Sequence, residues 1–351
     1  MKPSIRPDLE SLAPYRAPQP EAPVRLNTNE CPYPLPEGFA NDLAETARGI
    51  GLNRYPDREA TALRKGLADH AGHPFDGVWA ANGSNEVLEQ LLLAYGGPGR
   101  RVALFTPTYV MHAQLARVCL TEVVTEPLDE AFRLTERHAE HVRRERPELV
   151  IVCSPNNPTG NAQDPDAVAA VCEAAPGLVV VDEAYAEFGG ASAVSLLPRL
   201  DNLAVVRTFS KAFSMAGARL GYVLTSPEIV EDLQRVRLPY HLSSLTQAAG
   251  EVALRHVAEA AELLDAIRAQ RDRIVQALTA MDGVRPYPTD ANFVLFHPGR
   301  PADEVWQGLL DRGVLIRDFS TLAGTEGCLR VTAGTPEETD AFLRALTEVL
   351  A

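Results

Sequence analysis

The feature that most constrains the fold is a series of short, uninterrupted apolar runs separated by segments of helical spacing. Val78-Trp-Ala-Ala81, Val102-Ala-Leu-Phe105, Leu149-Val-Ile-Val-Cys153, Leu178-Val-Val-Val181 and Leu203-Ala-Val-Val206 read as strands. The runs are continuous rather than alternating, so both faces of each strand must be covered. Ser84 to Tyr95, Tyr109 to Val118 and Pro165 to Ala174 read as intervening helices. This alternation predicts an α/β fold with a mostly parallel sheet between helical layers. Ligand sites in such sheets form just beyond the carboxyl ends of the strands. The residues that follow each run are therefore the candidate site.

The flanks read differently. Residues 1–30 carry Pro3, Pro7, Pro14, Pro18, Pro20 and Pro23 and read as a stiff, extended arm. Helical spacing follows over 37–48 and 57–70, with the loop Asn53-Arg-Tyr-Pro-Asp57 between. After Pro227 the chain reads as helical over 228–237 and 243–281, then as a strand near Asn292–Phe296, then as helix, strand and helix to Ala351. The expected division is an arm (1–30), a large domain (31–240) and a smaller α+β domain (241–351), a size that 351 residues allow.

Composition excludes several classes. A net charge of −14 argues against nucleic acid as a main partner, because phosphate backbones need basic surfaces. No apolar run approaches membrane-spanning length, and the Pro-rich, charged start is unlike a signal peptide. Cys31, Cys119, Cys153, Cys172 and Cys328 form no C-x-x-C pair and read as reduced, mostly buried thiols of a cytoplasmic protein. His70 with His73, and His138 with His141, have H-x-x-H spacing but no third ligand in a zinc pattern, so no metal is expected and solvated helix faces are. No G-x-G-x-x-G follows a strand, so a nicotinamide site is not indicated.

The chemistry-bearing stretches sit after the apolar runs. In Thr208-Phe-Ser-Lys-Ala-Phe-Ser-Met-Ala-Gly-Ala-Arg219, a single Lys, Lys211, stands among apolar and hydroxyl neighbours. Poor solvation lowers an amine's pKa, and a neutral amine can attack an aldehyde. The hydroxyls of Thr208 and Ser210 and the cation of Arg219 suit a phosphate. Together they ask for pyridoxal phosphate, although an exposed Lys beside a helix start could have the same local sequence. In Asn82-Gly-Ser-Asn-Glu86, Ser84 suits a helix N-cap and Gly83 a close backbone approach, and free N–H groups at a helix start bind phosphate. Asp182-Glu-Ala-Tyr185 places a carboxylate at a strand end, where it could keep a pyridine nitrogen protonated or simply cap a helix. Tyr185, one helical turn on, could donate to a ring hydroxyl. Ser154-Pro-Asn-Asn-Pro-Thr-Gly160 is a stiff loop with two amides, a mount for a ligand hydrogen bond or a plain turn. Tyr109 could stack on a cofactor ring or belong to the core. Arg317 and Arg330, in β-like segments, want an anion or a structural salt bridge.

Taken in order, Asn157-Pro-Thr-Gly160, Asp182-Glu-Ala-Tyr185 and Ser210-Lys-Ala-Phe213 with Gly217-Ala-Arg219 resemble the fold type I aminotransferases that use pyridoxal phosphate. Leu26-Asn-Thr-Asn-Glu30, Asn53-Arg-Tyr-Pro56, Gly83-Ser-Asn-Glu86 and Cys328-Leu-Arg-Val-Thr332 narrow the likeness to the histidinol-phosphate aminotransferase family, over nearly the whole chain. The resemblance implies that Lys211 bonds to the cofactor and shuttles a proton, that Asp182 pairs with the ring nitrogen, and that Asn157 and Tyr185 hold the ring oxygen. It further implies that Tyr109 stacks on the ring and that Ser84, Asn85, Thr208, Ser210 and Arg219 hold the phosphate. Tyr55 would reach the site of the partner subunit in a homodimer with shared active sites. Arg330, helped by Arg317 and Tyr15, would grip the substrate anion. The implied reaction moves an amino group between L-histidinol phosphate and 2-oxoglutarate, giving imidazole-acetol phosphate and L-glutamate in histidine biosynthesis. A related aromatic amino acid aminotransferase is the alternative. The chain departs from the family at Cys31, where Asn is usual.

Overall fold

The computed structural model describes residues 3–10, 12–14 and 19–351. Tyr15, expected to assist at the substrate anion, lies outside the described residues. A short strand, β1 (Val24–Arg25), precedes the main body of the chain. The strands β2 (Val78–Ala81), β3 (Arg101–Thr106), β4 (Glu122–Pro127), β5 (Leu149–Cys153), β6 (Leu178–Asp182), β7 (Leu203–Thr208) and β8 (Gly221–Leu224) build one seven-stranded sheet in the order β2-β8-β7-β6-β5-β3-β4. Every neighbouring pair is parallel except the two that involve β8.

Alternate residues of the central strands feed two cores. Leu104, Ile151, Val180 and Val206 pack in one, on the side of the helix Ser84–Tyr95. Phe105, Val152, Val181 and Val205 pack in the other, with the helix Pro165–Ala174. This two-sided burial is why the strands read as unbroken apolar runs. Each such side chain contributes about 1.5–3 kcal/mol relative to exposure.

Two strands and a helix carry no clear signal in the sequence. β4 is an edge strand with the mixed sequence Glu-Val-Val-Thr-Glu-Pro, paired on one side only. β8 is short and runs back against β7, a direction that no local pattern encodes. The helix Glu136–Glu145 is strongly polar, yet it buries His138, Ala139, His141 and Val142. The expectation that His138 and His141 lie on a solvated face is therefore corrected. His138 closes a capping box with Thr135, and His141 lies 3.3 Å from Glu126. The helical stretch expected over 243–281 is two helices, Ser244–Arg255 and Val257–Thr279. They part at His256, whose ring nitrogens lie 2.9 Å from Asp42 and 2.8 Å from Glu259.

Toward the C-terminus, β9 (Arg285–Pro286), β10 (Phe293–His297), β11 (Val314–Leu315), β12 (Arg317–Asp318) and β13 (Leu329–Thr332) follow. Four of them form an antiparallel sheet in the order β12-β13-β10-β9, while β11 pairs in parallel with β1. The chain leaving β1 is pinned to this region. Leu26 N–H donates to Leu315 O at 2.8 Å, and Thr332 N–H donates to Leu26 O at 2.9 Å. All five cysteines are free thiols, and all but Cys31 are buried. Among the described residues no helix is long and apolar enough to cross a membrane.

Candidate active site

β2, β3, β5, β6 and β7 point their carboxyl ends to one edge of the sheet, and there the chain opens a cavity of about 420 Å³. Lys211 enters it from the connection between β7 and β8. Phe209 and Ala212 beside it are fully buried, and the Phe209 ring stacks on Phe213 at 4.4 Å. This anchoring leaves Ser210 and Lys211 facing the cavity. The Lys211 ammonium donates to Thr28 O at 2.9 Å. Burial, and then the nearby Arg330 and Arg219 guanidinium groups, push its pKa down to about 8, while Glu30 opposes them.

One end of the cavity is cationic and rich in hydroxyls. Thr208 Oγ1 donates to Ser210 Oγ at 3.0 Å, and Arg219 Nη1 donates to the same oxygen at 3.3 Å. The helix Ser84–Tyr95 begins here, with Ser84 and Asn85 on the cavity wall. Gly83, not Ser84, takes the N-cap position, at φ +84°, so Ser84 starts the helix and makes no capping bond. That left-handed backbone suits glycine. The space demands it as well. A Cβ on Gly83 would lie 2.5 Å from Arg219 Nη2, and one on Gly221 would lie 2.3 Å from the Ser84 nitrogen. These two bare backbones let a guanidinium and a helix start close on the same point, a cradle suited to a phosphate.

A carboxylate lies elsewhere on the wall. Asp182 is the last residue of β6 and is almost wholly buried. Its Oδ1 accepts from Ala184 N–H at 3.2 Å, and its Oδ2 lies 3.0 Å from His112 Nε2. His112 is a partner of that carboxylate that sequence reasoning does not reach. It sits on the inward face of the helix Val110–Val118, fully buried, with Thr108 Oγ1 at 3.4 Å from its other ring nitrogen. Its contact with Asp182 joins distant parts of the chain, and the only local signal is a His at inward spacing just after a strand end. Tyr109 lines the cavity, edge-on to the His112 ring at 5.4 Å.

The remaining wall comes from the C-terminal sheet. Arg330 is 5% exposed and lies between the rings of Phe293 and Phe319, at 4.9 and 5.0 Å. Its Nη1 donates to Asn157 Oδ1 at 2.5 Å and its Nη2 to Asn27 O at 2.9 Å. Arg317 is its register partner across β12 and β13 and lines the same cavity. Two guanidinium groups side by side on a partly enclosed wall form a fork for an anion. Asn157 is held in a loop with cis peptides before Pro155 and Pro158. Tyr185 is buried and accepts from Asn29 Nδ2 at 2.9 Å. It follows β6 in a loop and starts a 3-10 turn rather than ending a helical one.

All the candidates read from the sequence therefore line one cavity, apart from Tyr15 and Tyr55. Tyr55 is 79% exposed and stacks on Tyr240 at 4.4 Å, away from its own chain's cavity. Among the described residues no group of three or more His, Cys, Asp and Glu is placed to hold a metal. The donor set fits pyridoxal phosphate: a phosphate cradle, an amine of lowered pKa and a buried carboxylate share one enclosed space.

The family model for aminotransferase class I and II matches residues 21–346. The chain is 51% identical to the histidinol-phosphate aminotransferase of Frankia casuarinae, over 99% of this chain and 90% of that one. It is 50% identical to that of Thermobifida fusca, over 97% and 94%. Its fold matches the crystal structure of histidinol-phosphate aminotransferase from Sinorhizobium meliloti in complex with pyridoxal-5'-phosphate. The TM-score is 0.88, with 26% identity, covering 99% of this chain and 97% of that one. The chain belongs to the class I and II aminotransferases, the fold type I group, and within them to the histidinol-phosphate aminotransferase family.

Proposed function

We propose that the protein is a pyridoxal-phosphate-dependent aminotransferase that interconverts L-histidinol phosphate plus 2-oxoglutarate with imidazole-acetol phosphate plus L-glutamate, a step of histidine biosynthesis. The observation that carries this reading is the pair Arg317 and Arg330 on the cavity that Lys211 enters. Histidinol phosphate has no carboxylate, whereas glutamate has two. One site must then take a phosphate or a carboxylate as anchor, and a guanidinium fork accepts either in a bidentate manner. The aromatic amino acid aminotransferase reading has less support, because the relatives near 50% identity carry the histidinol-phosphate name.

Bound in this cavity, pyridoxal phosphate supplies an aldehyde for the amine and a protonated ring that draws electrons from the substrate carbon. The chain's own residues do the rest. Asp182 would pair with the ring nitrogen and favour its protonated form, and His112, 3.0 Å from Asp182 Oδ2, holds that carboxylate in place. Ser84, Asn85, Thr208, Ser210 and Arg219 hold the phosphate. Tyr109 would stack on the ring, and Asn157 and Tyr185 would hold its oxygen. The Lys211 amine, its pKa lowered to about 8 by burial, is placed to take the proton from the amine-bearing carbon of the substrate when it is in its neutral form.

Losing a charge-assisted hydrogen bond to a phosphate costs on the order of 1.5–3 kcal/mol, or roughly ten- to a hundredfold in kcat/KM. Histidinol phosphate is thus expected to exceed unphosphorylated histidinol by at least that factor. Arg330→Lys is expected to weaken both half-reactions, since an ammonium loses the fork. Equal use of histidinol and histidinol phosphate would reject the anchor.

The domain division proposed is an arm (1–30), a large domain (31–240) and a small domain (241–351), in a cytoplasmic homodimer. The exposed Leu52, Tyr55, Leu238 and Tyr240 support a second copy as partner, and Tyr55 would complete the neighbour's phosphate site. Mixing inactive Tyr55→Ala with inactive Lys211→Ala is then expected to restore activity through heterodimers that hold one intact site. No recovery after verified subunit exchange would count against shared sites.

A further inference from the structure

Asn29 belongs to none of the roles above, yet it is 1% exposed and held at φ +55° beside the cavity. Its hydrogen bonds form a chain with a single consistent direction. The Asn29 backbone N–H donates to Thr332 Oγ1 at 3.1 Å. The Thr332 hydroxyl accepts there, and it sends its own hydrogen to Asn29 Oδ1 at 3.0 Å. With its carbonyl end so engaged, the Asn29 amide presents Nδ2 to the Tyr185 oxygen at 2.9 Å. An amide nitrogen only donates, so the phenol oxygen accepts. Burial raises the Tyr185 pKa far above its usual value, so the phenol keeps its single hydrogen. That hydrogen cannot point back at Asn29.

We propose that Asn29 and Thr332 are positioning residues that set the direction of the Tyr185 hydroxyl, making it a hydrogen-bond donor to the ring oxygen of the cofactor. This rests on the reading of the cavity as a pyridoxal phosphate site. A donor aimed at a phenolic oxygen stabilises that oxygen's negative charge. It thereby lowers the proton affinity of the neighbouring nitrogen that links cofactor and lysine. Without the relay the hydroxyl is free to turn, and that nitrogen holds its proton to higher pH.

The test is the pH titration of the visible absorption of the holoenzyme, which reports the protonation of that nitrogen independently of any substrate. Tyr185→Phe is expected to raise the midpoint. Asn29→Ala is expected to raise it in the same direction by about 0.5–1 pH unit, the size of one hydrogen bond. In the Tyr185→Phe background Asn29→Ala should then add nothing. Asn29→Asp, which keeps the shape but can only accept, should reverse the hydroxyl and raise the midpoint at least as far. Thr332→Val should shift it in the same direction and serves if the Asn29 variants do not fold. An unchanged midpoint in Asn29→Asp and Thr332→Val while Tyr185→Phe moves it would overturn the proposal. So would an Asn29→Ala shift that persists without the Tyr185 hydroxyl. A wild-type protein with cofactor added but no titrating visible band would instead overturn the reading of the site, and this inference with it.

Discussion

Lys211→Ala is expected to abolish the visible absorption band that borohydride removes from the wild-type holoenzyme, and to lower kcat by about 10²–10⁴-fold, the usual contribution of a positioned proton-transfer group. The expectation comes from geometry. Lys211 is the lysine on the cavity wall, placed there by the buried anchors Phe209 and Ala212. The same environment sets a pH dependence. Burial, assisted by Arg330 and Arg219, lowers the amine's pKa to about 8, and only the neutral form is a nucleophile. The rate at which apoenzyme takes up the cofactor covalently should therefore rise with pH to about 8 and flatten above it. A borohydride-sensitive band that survives in Lys211→Ala would show that another amine carries the link.

Asp182→Asn is the second large effect. The side chain keeps its size, and Ala184 N–H and His112 can still find an acceptor or donor in the amide, so the fold is expected to persist. What disappears is the negative charge at the end of β6 that a protonated ring nitrogen needs. Loss of one preorganised electrostatic partner in an enclosed site costs about 10²–10³-fold in kcat. The measurement is turnover at verified cofactor occupancy. Near-normal turnover with cofactor bound would reject the role.

Both predictions rest on residues that stand out in the amino-acid sequence itself, for a physical reason. A strand buried on both faces must be apolar throughout, so the polar residues that end it are conspicuous. Asp182, Thr208 and the Ser154–Gly160 loop all announce themselves in this way. The same logic fails where a strand is not two-sided, which is why the edge strand Glu122–Pro127 does not show. It fails again where information is directional, as in the return of Gly221–Leu224 against its neighbour. Asn29 and His112 illustrate a further limit. Their contacts with Thr332 and Asp182 join distant parts of the chain, and a buried amide or imidazole has no spacing that betrays its partner. The histidines of Glu136–Glu145 mislead in the opposite sense. Their neighbours are charged, but helix periodicity turns His138 and His141 inward together. Gly83, not Ser84, takes the cap, and Arg219 occupies the space where a Cβ on residue 83 would stand, a tertiary contact that the local sequence does not announce.

The most direct test of the central claim is a substrate comparison with purified holoenzyme and 2-oxoglutarate, following glutamate formation and carbon dioxide release. The predicted result is that histidinol phosphate gives glutamate with a higher kcat/KM than phenylalanine or unphosphorylated histidinol, and that no carbon dioxide appears with phosphorylated amino acids. A preference for phenylalanine, or release of carbon dioxide from a phosphorylated amino acid without glutamate formation, would contradict it.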